Sequence, residues 1–438
     1  MERNNRSGKS PNKFVAQGNY GCVFRPPLPC QGDNVNQSPS EGVGKIFKTN
    51  SSFKTELEGF STLAEQINTQ NKFSPHFLKE CVTDTSKMSP KHIQELKRCK
   101  FVEKVKKPRT NNKNKNQKPD VPKISTQTSP PPSRHLSTPM RNYPQIIMED
   151  GGIPIDELKT NFLEIFSSSR SLFEGISILQ KNKKCHLDIK DANIVYNKEH
   201  DRMLLIDFGL MTPYKDVYKG MNLDINYSPY PPEFRFAEFV LRMRAKSDPY
   251  LQERVENEIM NILQGDRQKY IDINYISHTK DYAMIIAREV KKINGNKDGI
   301  KLNVAKFYPE SRNKELSTFA SYFFKLYDEM AKKHLSQSKT KSITEVKKRA
   351  LMMNIFRDEL AKKIDSYALG VVFIYILGRD IQLGKIRIRK DNQNLLSSII
   401  GLLEKMTHAN PFERYDSMEA FKKYTEITNK MEGEKEKR

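Results

Sequence analysis

The chain has 438 residues, 75 of them Lys or Arg against 53 Asp or Glu, for a formal net charge of +22. Such a length accommodates two lobes and an inserted subdomain, and the charge favours acidic partners, yet the basic residues are spread along the chain and form no recognisable nucleic-acid motif. Neither a signal-like start nor an apolar run of membrane-spanning length occurs, which predicts a soluble intracellular protein.

The first patterned segment is VAQGNYGCVF, residues 15 to 24. Gly18 and Gly21 take the second and third glycine places of a G-x-G-x-x-G-x-V loop, Ala16 takes the first, and Val23 closes it. Glycine is needed where a backbone approaches phosphate oxygens without a Cβ in the way. Val15, Ala16, Gln17, Gly18, Asn19, Tyr20, Gly21, Cys22 and Val23 are therefore the candidate nucleotide loop. Next, VGKIFK (43 to 48) reads as a strand carrying a lysine inward. Lys45 is the candidate contact to the α- and β-phosphates, Val43 taking the alanine place of V-A-x-K, and Lys48 is the alternative or a solvated strand end. A buried ammonium needs a carboxylate to offset its desolvation. In FKTELEGFSTLAEQI, Glu56 heads an apolar helical stripe with Phe60 and Leu63, whereas Glu58 lacks one.

Residues 101 to 145 are rich in Lys, Asn, Pro, Ser and Thr and have almost no apolar periodicity, predicting a mobile loop between strands, centred on about 101–142. Its basic run offers contact to nucleic acid or an anionic membrane, with a solvated linker the favoured reading. Further on, HLDIKDANI and LLIDFGL, within 186 to 210, set His186, Asp188, Lys190, Asn193 and Asp207 in order, flanked by strand-like IVY and MLLI. The residue types suit phosphoryl transfer, in which catalysis is positioning plus charge neutralisation. Asp188 is the candidate acceptor of a substrate hydroxyl proton, Lys190 the contact to the γ-phosphate, and Asn193 and Asp207 the ligands of Mg2+ or Mn2+.

Together these segments resemble the eukaryotic-type protein kinase superfamily. The resemblance implies an α+β, bilobal protein-kinase-like fold: a small β-rich N-lobe over 1–148 and a helical C-lobe over 149–438. In YPQIIMEDGG, Met148 resembles the gatekeeper, and Glu149, Asp150 and Gly151 the hinge that would bind the adenine of ATP. Pro231, Pro232 and Glu233 resemble the end of an activation segment. DSYALGVVFIYIL resembles the central buried helix, with Asp365 bonding the catalytic loop, and NPFERYDSMEAF the closing helices, with Arg414 pairing Glu233. Lys190 resembles its counterpart in serine/threonine kinases, implying protein substrates with Ser or Thr. Two departures stand out. Ala16 replaces a glycine, and His-Leu-Asp replaces His-Arg-Asp, so Leu187 brings no guanidinium to clamp a phosphate and activation by loop phosphorylation is not expected. Two other readings remain: a pseudokinase or scaffold using basic surfaces, and a kinase-fold phosphotransferase for small molecules or lipids, which Pro231 to Glu233 and Arg414 disfavour.

A second insertion, about 234–364, stands where the family has a short connection. Its patterns EFRFAEFVLRMRA and LSTFASYFFKLYDEMAKKHL step by three and four, predicting a helical subdomain packed on the large lobe. With GNYGCVFRPPLPC, it is similar to the serine/threonine kinases of large nucleocytoplasmic DNA viruses, which implies an enzyme of the host cytoplasm and the virion. Five cysteines without a C-x-x-C argue for a reducing compartment and against a disulfide framework or zinc site. Cys185 reads as a small core residue.

Overall fold

Five short segments pair into one antiparallel sheet in the order β1-β2-β3-β5-β4: β1 (Lys13–Gln17), β2 (Gly21–Arg25), β3 (Val43–Phe47), β4 (Phe77–Val82) and β5 (Pro144–Met148). The computed structural model describes residues 13–18, 20–33, 42–63, 73–102, 141–217, 230–231, 233–234, 285–288, 309–338 and 342–435. The chain is α+β and divides into two units, Met1–Leu57 with His76–Asp150, and Glu58–Pro75 with Gly151–Arg438.

In the first unit, β3 is buried along its whole length, as a central strand covered on both faces must be. Successive residues alternate between those faces. Cys22, Phe24 and Ile46 enter a core with Leu96, Cys99, Val102 and Tyr143, whereas Lys45 turns the other way, toward the helix α1 (Asn50–Thr62). A Cβ on Gly44 would lie 2.4 Å from Gln145 Oε1. That space is taken because the buried Gln145 amide bonds both Leu28 N–H and Leu28 O. The helix α2 (Pro90–Leu96) starts where Ser89 Oγ accepts from His92 N–H and Pro90 fixes the first turn. Phe101 and Val102 then pack into the core, so ordered packing extends into the start of the expected loop, and Pro144 and Gln145 at its end belong to β5. Residues 103–140 lie outside the described residues.

The cysteine expectation is overturned here. Cys22 bonds Cys99 and Cys30 bonds Cys81, with Cα atoms 6.0 and 5.8 Å apart, inside the range a disulfide spans without backbone movement. Partners 77 and 51 residues apart leave no short-range spacing to read; the sheet and α2 bring them together. The odd cysteine is Cys185, a buried thiol in the other unit that donates to Ala361 O. With four of the five cysteines paired, composition no longer argues for a reducing compartment.

In the second unit β6 (Ile153–Pro154), β8 (Ile194–Asn197) and β9 (Arg202–Leu205) form one small sheet, and β7 (Lys184–Cys185) pairs with β10 (Thr212–Pro213). The described helices are α3 (Phe162–Ser167), α4 (Arg170–Lys181), α5 (Pro309–Ser338), α6 (Glu345–Ile355), α7 (Ile364–Gln382), α8 (Gln393–Met406) and α9 (Ser417–Lys435). Ile364 to Ile374 of α7 are buried without a break, the mark of a helix enclosed on all sides. Phe173 stacks on Phe373 and on Tyr424, at centroid distances of 5.5 and 4.2 Å. The Tyr424 hydroxyl donates to Phe166 O at 2.8 Å, so its polar tip is satisfied inside the core.

The second insertion yields α5, which contains the LSTFASYFFKLYDEMAKKHL pattern, and α6. Phe323, Met352 and Ile355 share a core with Leu187 and Cys185. The EFRFAEFVLRMRA pattern lies outside the described residues beyond Glu233 and Phe234. Among the described residues no helix is long and apolar enough to cross a membrane.

Candidate active site

The first unit carries the candidate nucleotide residues on β1, β2, β3 and α1. Lys45 and Glu56 are both buried, and Lys45 Nζ donates to Glu56 Oε2 at 2.5 Å. The pairing follows from two periods: the strand alternation that turns Lys45 toward α1, and the helical stripe that puts Glu56 on the buried side with Phe60 and Leu63. Lys48 and Glu58 are exposed. Val23 is the cross-strand partner of both Ala16 and Lys45. Val15, Ala16, Gln17, Gly18 and Tyr20 are exposed at the hairpin, Gly18 N–H donates to Gly21 O at 2.9 Å, and Asn19 lies outside the described residues. Gly21 is required by the sheet itself, since a Cβ there would sit 2.4 Å from Ile46 O. Cys22 turns into the core as a disulfide.

Met148 is buried at the end of β5, opposite Val43. Glu149 and His76 exchange two bonds: Glu149 N–H donates to His76 O at 2.8 Å and His76 N–H to Glu149 Oε2 at 3.2 Å. Asp150 pairs with Arg25 of β2 at 2.6 Å, a contact between residues so distant in sequence that no pattern announced it. Gly151, in the second unit, packs so closely that a Cβ would lie 2.7 Å from Val195 Cγ2.

In the second unit the candidate catalytic residues Asp188, Lys190 and Asn193 converge. Asp188 is buried, and its carboxylate accepts from Lys190 Nζ at 3.1 and 3.0 Å and from Asn193 Nδ2 at 2.7 Å; the same Nδ2 reaches Asp188 O at 2.9 Å. His186 Nδ1 accepts from Asp188 N–H, and burial holds this imidazole below its usual pKa, keeping it neutral for that role. Asp365 on α7 anchors the loop from beneath, accepting from His186 N–H at 2.8 Å and Leu187 N–H at 3.2 Å. Ile206 N–H donates to Asn193 O at 3.0 Å, which fixes the residue before Asp207 against the loop. Asp207 and Leu187 hold left-handed backbones, φ 66° and 63°, a strain that surrounding contacts must over-determine. Phe208 supplies such contacts, its ring 4.8 Å from His186 and 5.7 Å from Phe60.

No family model and no curated protein matches the chain. With its nitrogen committed to Asp188, Asn193 keeps an amide oxygen as its remaining donor to a cation, and Asp207 adds a carboxylate. Two hard oxygens completed by phosphates and water suit magnesium, which is usually held by one or two protein groups plus substrate phosphate.

Away from the loop, Arg414 is enclosed. Its Nη1 and Nη2 donate to the two Glu233 oxygens at 2.5 and 3.0 Å, its Nε donates to His408 O, and Tyr367 lies beneath the guanidinium. Pro232 lies outside the described residues. Sequence reasoning missed the contacts of 89–102 with β1 and β2, including Glu95 and Cys99.

Proposed function

We propose that the chain is an ATP-dependent protein serine/threonine kinase of bilobal protein-kinase fold. The observation that carries this reading is the constellation at Asp188: a buried carboxylate oriented by Asn193 and Lys190, in a loop anchored by Asp365. The acceptor hydroxyl donates its proton toward Asp188 as its oxygen bonds the γ-phosphorus and the bond to the ADP oxygen breaks. Lys190, close to that carboxylate, carries the positive charge that the transferring phosphoryl group requires. Lys45, kept oriented by Glu56, takes the α- and β-phosphates. Magnesium or manganese, when bound by Asn193 and Asp207, neutralises phosphate charge.

The enclosed Glu233–Arg414 pair supports a protein over a small molecule as acceptor, because it fixes the segment end that the protein-kinase resemblance assigns to substrate docking. The test is transfer of labelled γ-phosphate from ATP to casein or a basic protein with magnesium or manganese, followed by phosphoamino-acid analysis. Phosphoserine or phosphothreonine is expected, lost by several orders of magnitude in Asp188→Asn while nucleotide binding persists, as for removal of a catalytic group. Asp207→Asn is expected to abolish magnesium-dependent ATP binding. No transfer by folded, nucleotide-binding wild type would overturn the reading.

A further inference from the structure

β1 is an edge strand and its exposed residues give it little burial to hold it in place. Its register with β2 slips between Phe14 and Ala16, and an edge strand presents N–H groups that no neighbouring strand takes up. Here the Phe14 N–H is taken up by Glu95 Oε2 of α2 at 2.9 Å. That bond holds the Glu95 carboxyl below its usual pKa. Arg98 steadies the same carboxylate at 2.9 Å and lies over the Phe14 ring. At the other end of β1, Gln17 Oε1 accepts from Lys100 N–H at 2.9 Å. Between these two contacts, Cys99 is bonded to Cys22 at the start of β2. One segment, 89–102, thus grips the hairpin at both ends of β1 and at the first turn of β2.

We propose that residues 89–102 are a positioning strap for the β1–β2 hairpin, locked by the Cys22–Cys99 disulfide, and that they set the affinity for the nucleotide phosphates. This rests on the kinase reading for its catalytic consequence, but not for the strap itself. Without the strap, β1 loses its contacts at both ends while β2 keeps its pairing with β3 and the Arg25–Asp150 ion pair, and the chain between Gln17 and Gly21 samples more conformations before it can close on a phosphate. A dithiol reductant would release the lock: the disulfide takes two electrons and two protons to become two thiols, and the dithiol becomes a cyclic disulfide. Both Cys22 and Cys99 are fully enclosed, whereas Cys81 of the second disulfide is partly exposed. The Cys30–Cys81 bond therefore opens first under graded reduction.

The test compares oxidised full-length wild type with Cys99→Ser, Glu95→Ala and Glu95→Gln. Nucleotide-free hydrogen exchange of residues 13–25 is read beside the rest of the first unit, and KM for ATP beside kcat. Faster exchange confined to 13–25 is expected in Cys99→Ser and Glu95→Ala, with KM raised roughly fivefold, the scale of one lost hydrogen bond, and kcat little changed. Glu95→Gln is expected to restore wild-type behaviour, since its amide oxygen accepts the same N–H. Unchanged exchange in both weakened variants overturns the strap whatever the catalysis. Confined faster exchange with unaltered KM, or failure of Glu95→Gln to rescue, overturns its positioning role. Absence of transfer in wild type sinks the kinase reading and the affinity claim with it, leaving the exchange result to decide the strap.

Discussion

Asp365 carries two opposed demands on one buried carboxyl. As an anion it accepts the His186 and Leu187 N–H groups of the proposed catalytic loop, yet burial pushes its pKa from 3.8 up to about 6. Because the folded-state value lies above the unfolded one, its contribution to stability is complete below about 3.8 and is lost as pH rises through about 6. Loop geometry runs the opposite way, since protonation replaces an acceptor with a hydroxyl and leaves one of the two donors poorly matched. Wild type should therefore lose kcat as pH falls through about 6 even where this group favours folding. In Asp365→Asn the thermal midpoint should depend less on pH across that window, and kcat should drop by roughly a hundredfold, the scale of a misplaced catalytic group. Melting curves at several pH values, with a pH–rate profile, check both; an unchanged kcat would show that the anchor is dispensable.

At the level of elements, legibility followed the range of the signal. Lys45 and Glu56 were readable because a strand of period two and a helix of period 3.6 each fix a face locally, and their contact needs only that those faces meet. Asp188, Lys190 and Asn193 were readable because they sit within one loop. The disulfides and the Glu95–Phe14 contact were not, since each joins elements through the sheet order and leaves no mark on either segment alone. The Glu233–Arg414 pair is long-range too, and came from the family resemblance rather than from periodicity. Enclosed as it is, breaking it leaves a buried charge without compensation, so Glu233→Gln should cost about 3–5 kcal/mol of stability. Urea unfolding monitored by fluorescence and circular dichroism measures this, and a loss below about 1 kcal/mol, the scale of a surface pair, would contradict the enclosure.

On the scale of the second unit as a whole, Leu187 bears on how the proposed catalytic loop is kept in place without a phosphate clamp. Its side chain lies in an apolar core with Val217, Tyr230 and Phe234, and with Phe323, Met352 and Ile355 of α5 and α6. An arginine at that position would need an anion to meet its charge; leucine needs only apolar neighbours, and α5 and α6 provide them. Val217, Tyr230 and Phe234 and residues of α5 and α6 therefore belong to one core, and on the kinase reading that core should hold the loop without a phosphate. Phe323→Ala should weaken that core by about 3–5 kcal/mol and lower kcat together with stability. Leu187→Arg should do the same by burying an unpaired charge. Phosphatase-treated wild type, verified phosphate-free by intact mass, should in contrast retain the kcat of untreated protein. If dephosphorylation abolishes turnover while the fold persists, a phosphate rather than this core holds the loop, and the insertion has another task.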